Sequence, residues 1–581
     1  MMKEKILELI RDALGRDENA VELSVPDDPR FGHFSTNVAM RIAKERGAKP
    51  MELAEELAKK IHAAAPKGFF EKIEPVAPGF INFWLTNGAW RTEFARIIKN
   101  PGAAQKETKA DGTMVGKTVM VEFTDPNPFK LFHIGHLMSN TIGESFARLY
   151  ESQGAKVIRA NYQGDIGLHV AKAMWGMERI EKVMPSEHDD VGLKMVFLGV
   201  AYARGAKAYD DENETEARGE IEVLNEEIYS KKNSKVNELY AKGRAWSLEY
   251  FETVYARLGT KFERYYFESE MAAPGGDVVS AGLEKGIFKK SDGAVVFPGE
   301  DYGLHTRVFV NSRGLPTYEA KELALNKKKF EEYPLDYSVI VTSNEIKDYF
   351  RVLLKVMELM LPPEVAARTR HVPHGLLRLP TGKMSSRTGD VITADALLEQ
   401  VKERLREKVS ERSSIPTDER EAATEAIAIG AVKYSILKQN PGQDIIFDFE
   451  KSLSFEGDAG PYLQYAYARL RSILRKAHDE FKAMPGGDVA EFGTAEEFAL
   501  IRRIAEFPDV AAFAAERLAP SGVAAYAYKL AVAANKFYET TPILKDENVK
   551  RRDARLALAD VAAKTLAIAL ALLGMKVLEA I

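Results

Sequence analysis

The sequence of 581 residues contains no cysteine and only ten histidines. The absence of thiols excludes disulfide bridges and thiolate metal sites, and it fits a reducing compartment. The histidines show no H-x-x-x-H spacing with an adjacent carboxylate, which would be typical of a zinc helix. We therefore expect no metal ion held by the protein itself.

Long apolar runs are lacking as well. The longest, residues 566–574, is far shorter than the roughly 20 residues that cross a bilayer, and it predicts a buried core helix. The first 15 residues read as a charged amphipathic helix ending at Gly15, which differs from a signal peptide. The sequence therefore predicts a cytoplasmic protein without a membrane segment.

Charge of one sign does not dominate, because 81 basic residues stand against 86 acidic ones and the net charge is −5. This balance argues mildly against nucleic acid as a partner, so a large RNA would have to be held by local basic patches. A hydrophobic content of 45% is that of a soluble globular protein. The length predicts about three or four domains.

Two short motifs carry most of the functional information. H-I-G-H at 133–136 follows an apolar strand at 118–123, and K-M-S-S-R at 383–387 lies in a Gly-flanked loop. A helix N-terminus binds phosphate through free N–H groups, two histidines can add donors, and a distant Lys can add charge. Either motif alone is ambiguous, since H-x-G-H can be a chance helix start. Together, in this order, they resemble a class I aminoacyl-tRNA synthetase.

Strand, helix and strand signals from 118 to 162 predict a parallel β-α-β unit, hence a Rossmann-like α/β catalytic core. Its ligands should lie at the carboxyl ends of the strands, near Asn127, His133, Gly164 and Asp165. Charged helical sequence at about 180–265 predicts an insertion. From 400 onward the chain reads as helical, without a convincing strand. We predict an N-terminal α+β domain at 1–98, the core at 115–395, a helical connector at 396–455 and an all-α bundle at 456–581.

Longer segments resemble one family within this class, the arginyl-tRNA synthetases. The similarity rests on V-E-F-T-D-P-N-P-F-K-L-F-H-I-G-H-L, on L-P-T-Y-E-A-K-E at 315–322, and on P-Y-L-Q-Y-A-Y-A-R at 461–469. It covers most of the chain and is weak at 100–113, at about 185–240 and in the last residues. The resemblance implies ATP-dependent ligation of L-arginine to the 3′ end of tRNA(Arg) through an arginyl-adenylate, releasing AMP and pyrophosphate.

The same resemblance implies an arginine pocket. Glu122 matches the guanidinium-binding Glu, Asn127 the Asn that holds the substrate's backbone groups, and His133 borders both. Tyr318 and Glu322 match a Tyr and an Asp of the pocket, although Glu322 is one methylene longer than Asp. As bare sequence, Glu322 reads equally well as a surface helix residue. Carboxylates in fork geometry are what a planar guanidinium requires.

For catalysis the resemblance implies charge stabilisation by His133, His136 and Lys383, with Mg²⁺ accompanying ATP. The fourth position of K-M-S-K-S holds Ser386 here, followed by Arg387, so either Lys383 alone or both cations would stabilise pyrophosphate. The implied ATP-binding residues are His133, Gly135, His136, Gly164, Asp165, Lys383, Ser385, Ser386 and Arg387.

Two regions are expected to bind tRNA. In the strand G-F-I-N-F-W-L, alternation places Phe80 and Asn82 on the less apolar face, and both match positions that read the tRNA D-loop. Phe80 could equally be a core residue. In the bundle, the Tyr and Arg residues that recur at helical spacing suit unstacked bases and phosphates, namely Tyr462, Tyr465, Arg469 and Arg471.

Three alternatives stay open at this point. They are a synthetase for another amino acid, a H-x-G-H nucleotidylyltransferase, and a non-catalytic RNA-binding paralogue. The lack of Cys and the P-Y-L-Q-Y-A-Y-A-R block argue against the first, the long helical tail against the second, and intact Asn127, His133, His136 and Lys383 against the third. We expect a monomer.

Overall fold

The structure is a computed structural model, and it describes residues 2–15, 21–26, 28–99, 112–379, 392–411 and 415–581. The chain forms two compact units. The first comprises Met1–Gln105, Leu470–Pro508 and Lys529–Thr565, and the second Lys106–Arg469, Asp509–Tyr528 and Leu566–Ile581. The C-terminal helices are thus shared between the two units.

In the first unit, a small antiparallel sheet with strand order β1-β3-β2 packs with helices, as predicted for an α+β domain. Helix α2 ends at Gly47 in the left-handed conformation, and α3 starts with Pro50 in its first turn. The elements are α1 (Met2–Leu14), β1 (Phe34–Thr36), α2 (Val38–Arg46), α3 (Pro50–Ala64), β2 (Phe70–Val76), β3 (Phe80–Leu85) and α4 (Asn87–Lys99).

The second unit is built on a five-stranded parallel sheet of order β11-β10-β4-β5-β6, which confirms the predicted α/β core. Val119, Met120 and Val121 are fully buried, as expected for a strand with both faces covered. Its first elements are β4 (Thr118–Glu122), α5 (Ile134–Ser152), β5 (Lys156–Gln163) and α6 (Leu168–Arg179).

The segment predicted as a charged helical insertion folds into three helices before the chain returns to the sheet at β6. Asn233 caps the third of them by accepting hydrogen bonds from two backbone N–H groups. The elements are α7 (Val191–Asp210), α8 (Thr215–Ser230), α9 (Ser234–Leu258) and β6 (Arg264–Phe267).

Three strands, Lys289–Ser291, Ala294–Phe297 and Arg307–Val310, lie outside the parallel sheet and form a separate antiparallel sheet of order β7-β8-β9. Their side chains pack against the helix that precedes them, around Val279 and Phe288. The elements here are α10 (Glu268–Glu284), β7 (Lys289–Ser291), β8 (Ala294–Phe297), β9 (Arg307–Val310), α11 (Tyr318–Glu332), β10 (Tyr337–Ser343), α12 (Lys347–Met360), α13 (Pro363–Arg368), β11 (Thr369–His374) and β12 (Leu377–Arg378).

The expectation that no strand follows residue 400 was wrong in one place. Ile445 and Ile446 pair in parallel with Leu377 and Arg378. Next to this pair, the Asp444 carboxylate accepts a hydrogen bond from the backbone N–H of Leu376. A two-residue strand is too short for a pattern of alternation to show. The elements are α14 (Ala394–Ser410), α15 (Arg420–Leu437), β13 (Ile445–Ile446) and α16 (Phe449–Ser452).

The rest of the chain is helical, which confirms the predicted C-terminal all-α segment. Its helices are α17 (Gly460–Phe481), α18 (Ala495–Arg517), α19 (Pro520–Thr540) and α20 (Val549–Leu572). None of the helices in the described part of the chain combines the length and apolar character needed to span a membrane.

Candidate active site

The site begins where β4 ends and the backbone turns toward α5. Thr124 and Asp125 adopt positive φ angles of 80° and 45°, which is costly for residues other than glycine and indicates an over-determined loop. His133 then caps α5: its Nδ1 accepts hydrogen bonds from the N–H groups of Gly135 (3.1 Å) and His136 (3.3 Å). His136 Nδ1 accepts in turn from the N–H of His133, completing a capping box.

The two imidazole rings stack with centroids 3.6 Å apart. Burial and the nearby Lys130 lower the pKa of His133 to about 4, and burial together with His133 lowers the pKa of His136 well below its usual range. Both rings are therefore neutral at pH 7. Because Nδ1 of each ring accepts, its proton resides on Nε2, so the pair offers two neutral N–H donors rather than positive charge.

Gly135 leaves the space that the imidazole ring of His133 occupies. A Cβ atom there would lie 2.9 Å from His133 Cε1 and 3.0 Å from its Nδ1. Glycine is therefore needed for the imidazole to fold back over the first turn of α5, in addition to any close approach by a ligand.

A cavity of about 720 Å³ opens beside the histidines. One wall is the loop after β4 and the start of α5, including Asp125, Asn127, His133 and His136. The opposite wall is formed by the ends of β10 and β11 and the chain that follows, from Val341 to Arg378. The cavity thus lies at the carboxyl ends of adjacent parallel strands, where ligands bind in open α/β sheets.

The two predicted arginine-binding acids, Glu122 and Glu322, lie close to Asp125. We call these three residues the carboxyl cluster. Glu122 and Lys329 form an ion pair of 2.6 Å with both side chains almost fully buried. Glu322 is 7% exposed and accepts a hydrogen bond of 3.1 Å from Asn326 Nδ2. Burial and the nearby Glu122 raise the pKa of Glu322 to about 8.

Asp125 connects the cluster to the cavity, because it lines the cavity and lies close to both glutamates. Its carboxylate accepts a hydrogen bond of 2.8 Å from the N–H of Tyr162 on β5. Burial and Glu122 nevertheless raise its pKa well above the usual range. The sequence prediction missed Asp125 and Lys329, since neither stands in a position that spacing alone marks out.

Tyr318 and Glu322 both lie on α11, about one helical turn apart. Their environments differ, because Tyr318 is 54% exposed at the first residue of the helix whereas Glu322 is buried one turn later. Tyr318 is followed by Lys321, whose ammonium group is 4.6 Å from the Tyr318 ring centroid and forms a buried ion pair with Glu268.

Asn127 lines the cavity, and Gly164 lies directly against it. A Cβ at Gly164 would overlap Asn127 Oδ1 and lie 3.2 Å from Glu268 Oε1. The end of β5 can therefore reach Asn127 only with glycine at this position.

Asp165 was predicted to bind ATP, and its carboxylate is engaged by protein groups. It is completely buried, and its carboxylate accepts hydrogen bonds from Tyr240 Oη (2.9 Å), Arg244 Nε (2.9 Å) and both the N–H and the Oγ–H of Ser269 (2.8 Å each). These partners come from α9 and α10. Asp165 therefore ties the insertion to the end of β5, and its side chain faces protein.

The predicted loop residues Lys383, Ser385, Ser386 and Arg387 lie outside the described residues. The chain that follows them returns to the histidine motif, because the carbonyl of Ile392 accepts from the N–H of Ile134 (3.2 Å) and the N–H of Ala394 donates to the carbonyl of Phe132 (2.9 Å). Residues 392–394 are thus hydrogen-bonded to the backbone on both sides of His133.

Comparison with known proteins agrees with this geometry. The family profile "tRNA synthetases class I (R), catalytic domain" matches residues 101–449. "Arginyl tRNA synthetase N terminal domain" matches 1–85, and "DALR anticodon binding domain" matches 463–581. The chain belongs to the class I arginyl-tRNA synthetase family.

Similar proteins support the assignment along the whole chain. The arginine–tRNA ligase of Treponema denticola is 30% identical, with 93% of this chain and 91% of the relative covered, and that of Clostridium acetobutylicum is 31% identical with 99% of each covered. Thermus thermophilus arginyl-tRNA synthetase shares the fold with a TM-score of 0.81 at 24% identity over 100% of both chains. The activity is the ATP-dependent attachment of arginine to tRNA through an arginyl-adenylate.

In the N-terminal sheet, the two residues of this synthetase that were predicted to contact tRNA differ in exposure. Phe80 is 39% exposed, as predicted, but Asn82 is only 3% exposed. Ser35 Oγ on the neighbouring strand β1 donates a 2.7 Å hydrogen bond to Asn82 Oδ1, so the expectation of an exposed Asn82 was wrong. The hydrogen-bonding capacity of Asn82 is used by Ser35 on the neighbouring strand, a pairing that the sequence alone does not reveal.

On α17, Tyr462, Tyr465 and Arg469 are half-buried. The Tyr462 ring lies 5.8 Å from that of Tyr528, centroid to centroid. Arg471 is also half-buried and lies 3.9 Å from Asp560. Each of the four predicted side chains therefore retains some solvent-accessible surface.

Proposed function

We propose that the carboxyl cluster binds the guanidinium group of arginine and that the adjoining histidine-lined cavity binds ATP. The observation that carries this proposal is the burial of Glu122 and Glu322 next to Asp125, which lines the cavity together with the neutral donors His133 and His136. A planar, permanently charged guanidinium is the ligand that buried carboxylates in fork geometry accommodate. Tyr318 would cover the substrate's side chain, and Asn127 would hold its backbone groups.

In the first step, a carboxylate oxygen of arginine attacks the α-phosphorus of ATP in line, and pyrophosphate leaves. No general base is required, since this carboxylate is already ionised at neutral pH. The Nε2–H groups of His133 and His136 would donate hydrogen bonds to phosphate oxygens whose charge grows in the transition state. Gly135 would leave room for the phosphate chain, and Gly164 would border the adenylate.

Four residues of the second motif complete the nucleotide site in this proposal. Lys383 would stabilise the leaving pyrophosphate as a point charge, with Arg387 in support because Ser386 replaces the usual second lysine, and Ser385 and Ser386 would add hydroxyl donors. We assign Mg²⁺ to the ATP phosphates, as hard oxygen ligands suit this ion. It enters with the nucleotide as part of the substrate.

In the second step, a ribose hydroxyl of the terminal adenosine of tRNA(Arg) attacks the arginyl carbonyl, and AMP leaves. Phe80 and the α17 side chains Tyr462, Tyr465, Arg469 and Arg471 would contact tRNA bases and phosphates. Asn82 would position its strand through Ser35 rather than meet a base. We further propose that the protein acts as a monomer in the cytoplasm.

Discrimination against lysine follows from the same cluster. An ammonium group offers no fork, so one carboxylate would stay buried without its hydrogen bonds. A penalty of this kind reaches a factor of about 10⁴–10⁵ without an editing site.

The test is charging of total tRNA with labelled arginine, lysine or citrulline in the presence of Mg²⁺ and ATP. We expect charging with arginine only, loss of charging in Glu122→Gln, and loss of pyrophosphate exchange in Lys383→Ala. Lys327→Ala, an exposed position on α11, is the matched control and should behave as wild type. Arginine charging that survives in Glu122→Gln would overturn the proposed pocket.

A further inference from the structure

The carboxyl cluster contains more acidic groups than cations. Glu122, Asp125 and Glu322 lie together, and Lys329 is the cation that pairs with one of them. With all three acids ionised, the cluster would carry two uncompensated negative charges away from bulk water. Such charge is costly, and buried groups avoid it by holding a proton.

Among the residues that the structure describes, the groups that face Glu322 from the surrounding elements supply no second cation. They are Glu122 on β4, Asp125 in the following loop, Tyr162 on β5, Glu268 on α10, Lys329 on α11 and Tyr349 on α12. Lys321 is engaged by Glu268, so its charge is matched locally. The environment therefore favours a neutral Glu322 as long as no ligand is bound.

We propose that the carboxyl cluster binds arginine by exchanging a proton for the guanidinium group, and that Glu322 is the acid that gives up this proton. The inference rests on the proposed function, because it assumes that the guanidinium enters the cluster. The Glu322 carboxyl group loses its proton to solvent, and the resulting carboxylate pairs with the incoming cation. Since arginine cannot lose its own side-chain proton, the exchange runs in this direction only.

Two local features support Glu322 as the exchanging group. Asn326 Nδ2 donates to Glu322 Oε1, which holds the carboxyl group in one orientation in both protonation states. Asn326 Oδ1 is buried and, within the described part of the chain, accepts no hydrogen bond. It is an acceptor set beside the acid, where a guanidinium N–H would satisfy it.

The exchange also serves specificity. A neutral analogue such as citrulline has the same shape but brings no charge, so it would leave the proton on Glu322 and gain nothing from the acid. The raised pKa of Glu322, about 8, places the exchange in the physiological range. At pH 7 the empty site would therefore hold the proton in most molecules, and arginine would release it on binding.

The sign of the pH dependence follows directly. The empty protein binds one proton more than the complex, so arginine affinity rises with pH, by up to tenfold per unit, and levels off above about pH 8. Citrulline, which brings no charge, should show no such rise at concentrations where it binds.

The experiment is isothermal titration of the full chain with arginine at pH 7 in buffers of different ionisation enthalpy, which counts released protons. We expect close to one proton for the wild type, close to none for Glu322→Gln, and the wild-type value for Glu322→Asp, which keeps an acid. Glu332→Gln on the same helix, where the acid pairs with Arg264 instead, is the matched control and should also release close to one.

Arginine binding without proton release in the wild type would overturn the inference and leave the proposed function intact. Release that persists in Glu322→Gln would also overturn it, because another group, such as the substrate's amino group, would then be the source. Absence of arginine binding to a folded wild type would overturn the proposed function itself. If Glu322→Gln fails to fold, the comparison of arginine with citrulline on the wild type decides the question.

Discussion

Lys329 Nζ lies 2.6 Å from Glu122 Oε2, with the two side chains 0% and 2% exposed. The pair joins the last turn of α11 to the last residue of β4, so a helix and the central sheet meet through two opposite charges. An arginine that enters the carboxyl cluster would share Glu122 with Lys329. The substrate's guanidinium would then be the second cation in the carboxyl cluster, after Lys329.

Replacing Lys329 with Met should expose the cost of this arrangement. Breaking a buried ion pair by removing one partner destabilises a protein by about 3–5 kcal/mol, because the other charge stays buried. We expect Lys329→Met to lose this much in chemical denaturation, and arginine to restore more stability to the variant than to the wild type. The control is Lys328→Met, because the Lys328 side chain is 37% exposed. Equal stability of the Lys329 variant and the wild type would show that Glu122 needs no internal cation.

Gly135→Ala tests the capping geometry of the histidine pair. The added Cβ would come within 2.9 Å of the His133 ring, so the ring must leave its position over the first turn. We expect pyrophosphate exchange to fall at least tenfold, with arginine binding changed much less because the carboxyl cluster does not touch this residue. Gly219→Ala on α8, where a Cβ would have nothing within 4 Å, should leave both unchanged. An active Gly135→Ala enzyme would mean that the rings need not stack.

The sequence could predict this part of the site because its information is local. A strand, a turn and a capped helix lie within 35 residues from Thr118 to Ser152, and Tyr318 and Glu322 are four residues apart, which is about one helical turn. The neutral state of His133 and the ion pair of Glu122 with Lys329 could not be predicted. Both depend on burial and on partners from distant elements, which no spacing within one segment encodes.

The same limit applies to Asp165 and to Asn82. Asp165 follows a strand and precedes a glycine, as many ligand-binding residues do, but its carboxylate is satisfied by Tyr240, Arg244 and Ser269. Asn82 was placed correctly on its strand, yet Ser35 on β1 satisfies it and the surrounding structure covers it. Alternation fixes the side of a sheet to which a residue points, and only tertiary packing decides whether that side is open.

Lys433 gives a stability prediction with a definite sign. It is 1% exposed and donates to the carbonyls of Leu258 (2.6 Å) and Gly574 (2.9 Å), and burial with the nearby Arg148 lowers its pKa to about 7. A group whose pKa falls on folding contributes stability above its unfolded value, and this is lost as pH drops toward the folded value. We therefore expect the melting temperature of the wild type to fall between about pH 10 and pH 7 by more than that of Lys433→Met.

The control for this prediction is Lys438→Met, since Lys438 donates to the carbonyl of Asp458 from a less buried position. Its pH profile should follow that of the wild type. Profiles of wild type and Lys433→Met that run parallel across this range would show that Lys433 stays charged inside the fold.

Phe80 and Asn82 separate RNA binding from folding on a single strand. Phe80 is 39% exposed, so Phe80→Ala should weaken tRNA binding by about 1–3 kcal/mol through lost stacking, with the melting temperature nearly unchanged. Asn82→Ala removes the acceptor of the buried Ser35 hydroxyl, so it should lower the melting temperature and alter tRNA affinity only to the extent that the sheet loosens. Filter binding and thermal melting of both variants measure the two effects. A destabilised Phe80→Ala with unchanged tRNA affinity would instead identify Phe80 as a packing residue, because stacking on a base cannot contribute to stability in the absence of RNA.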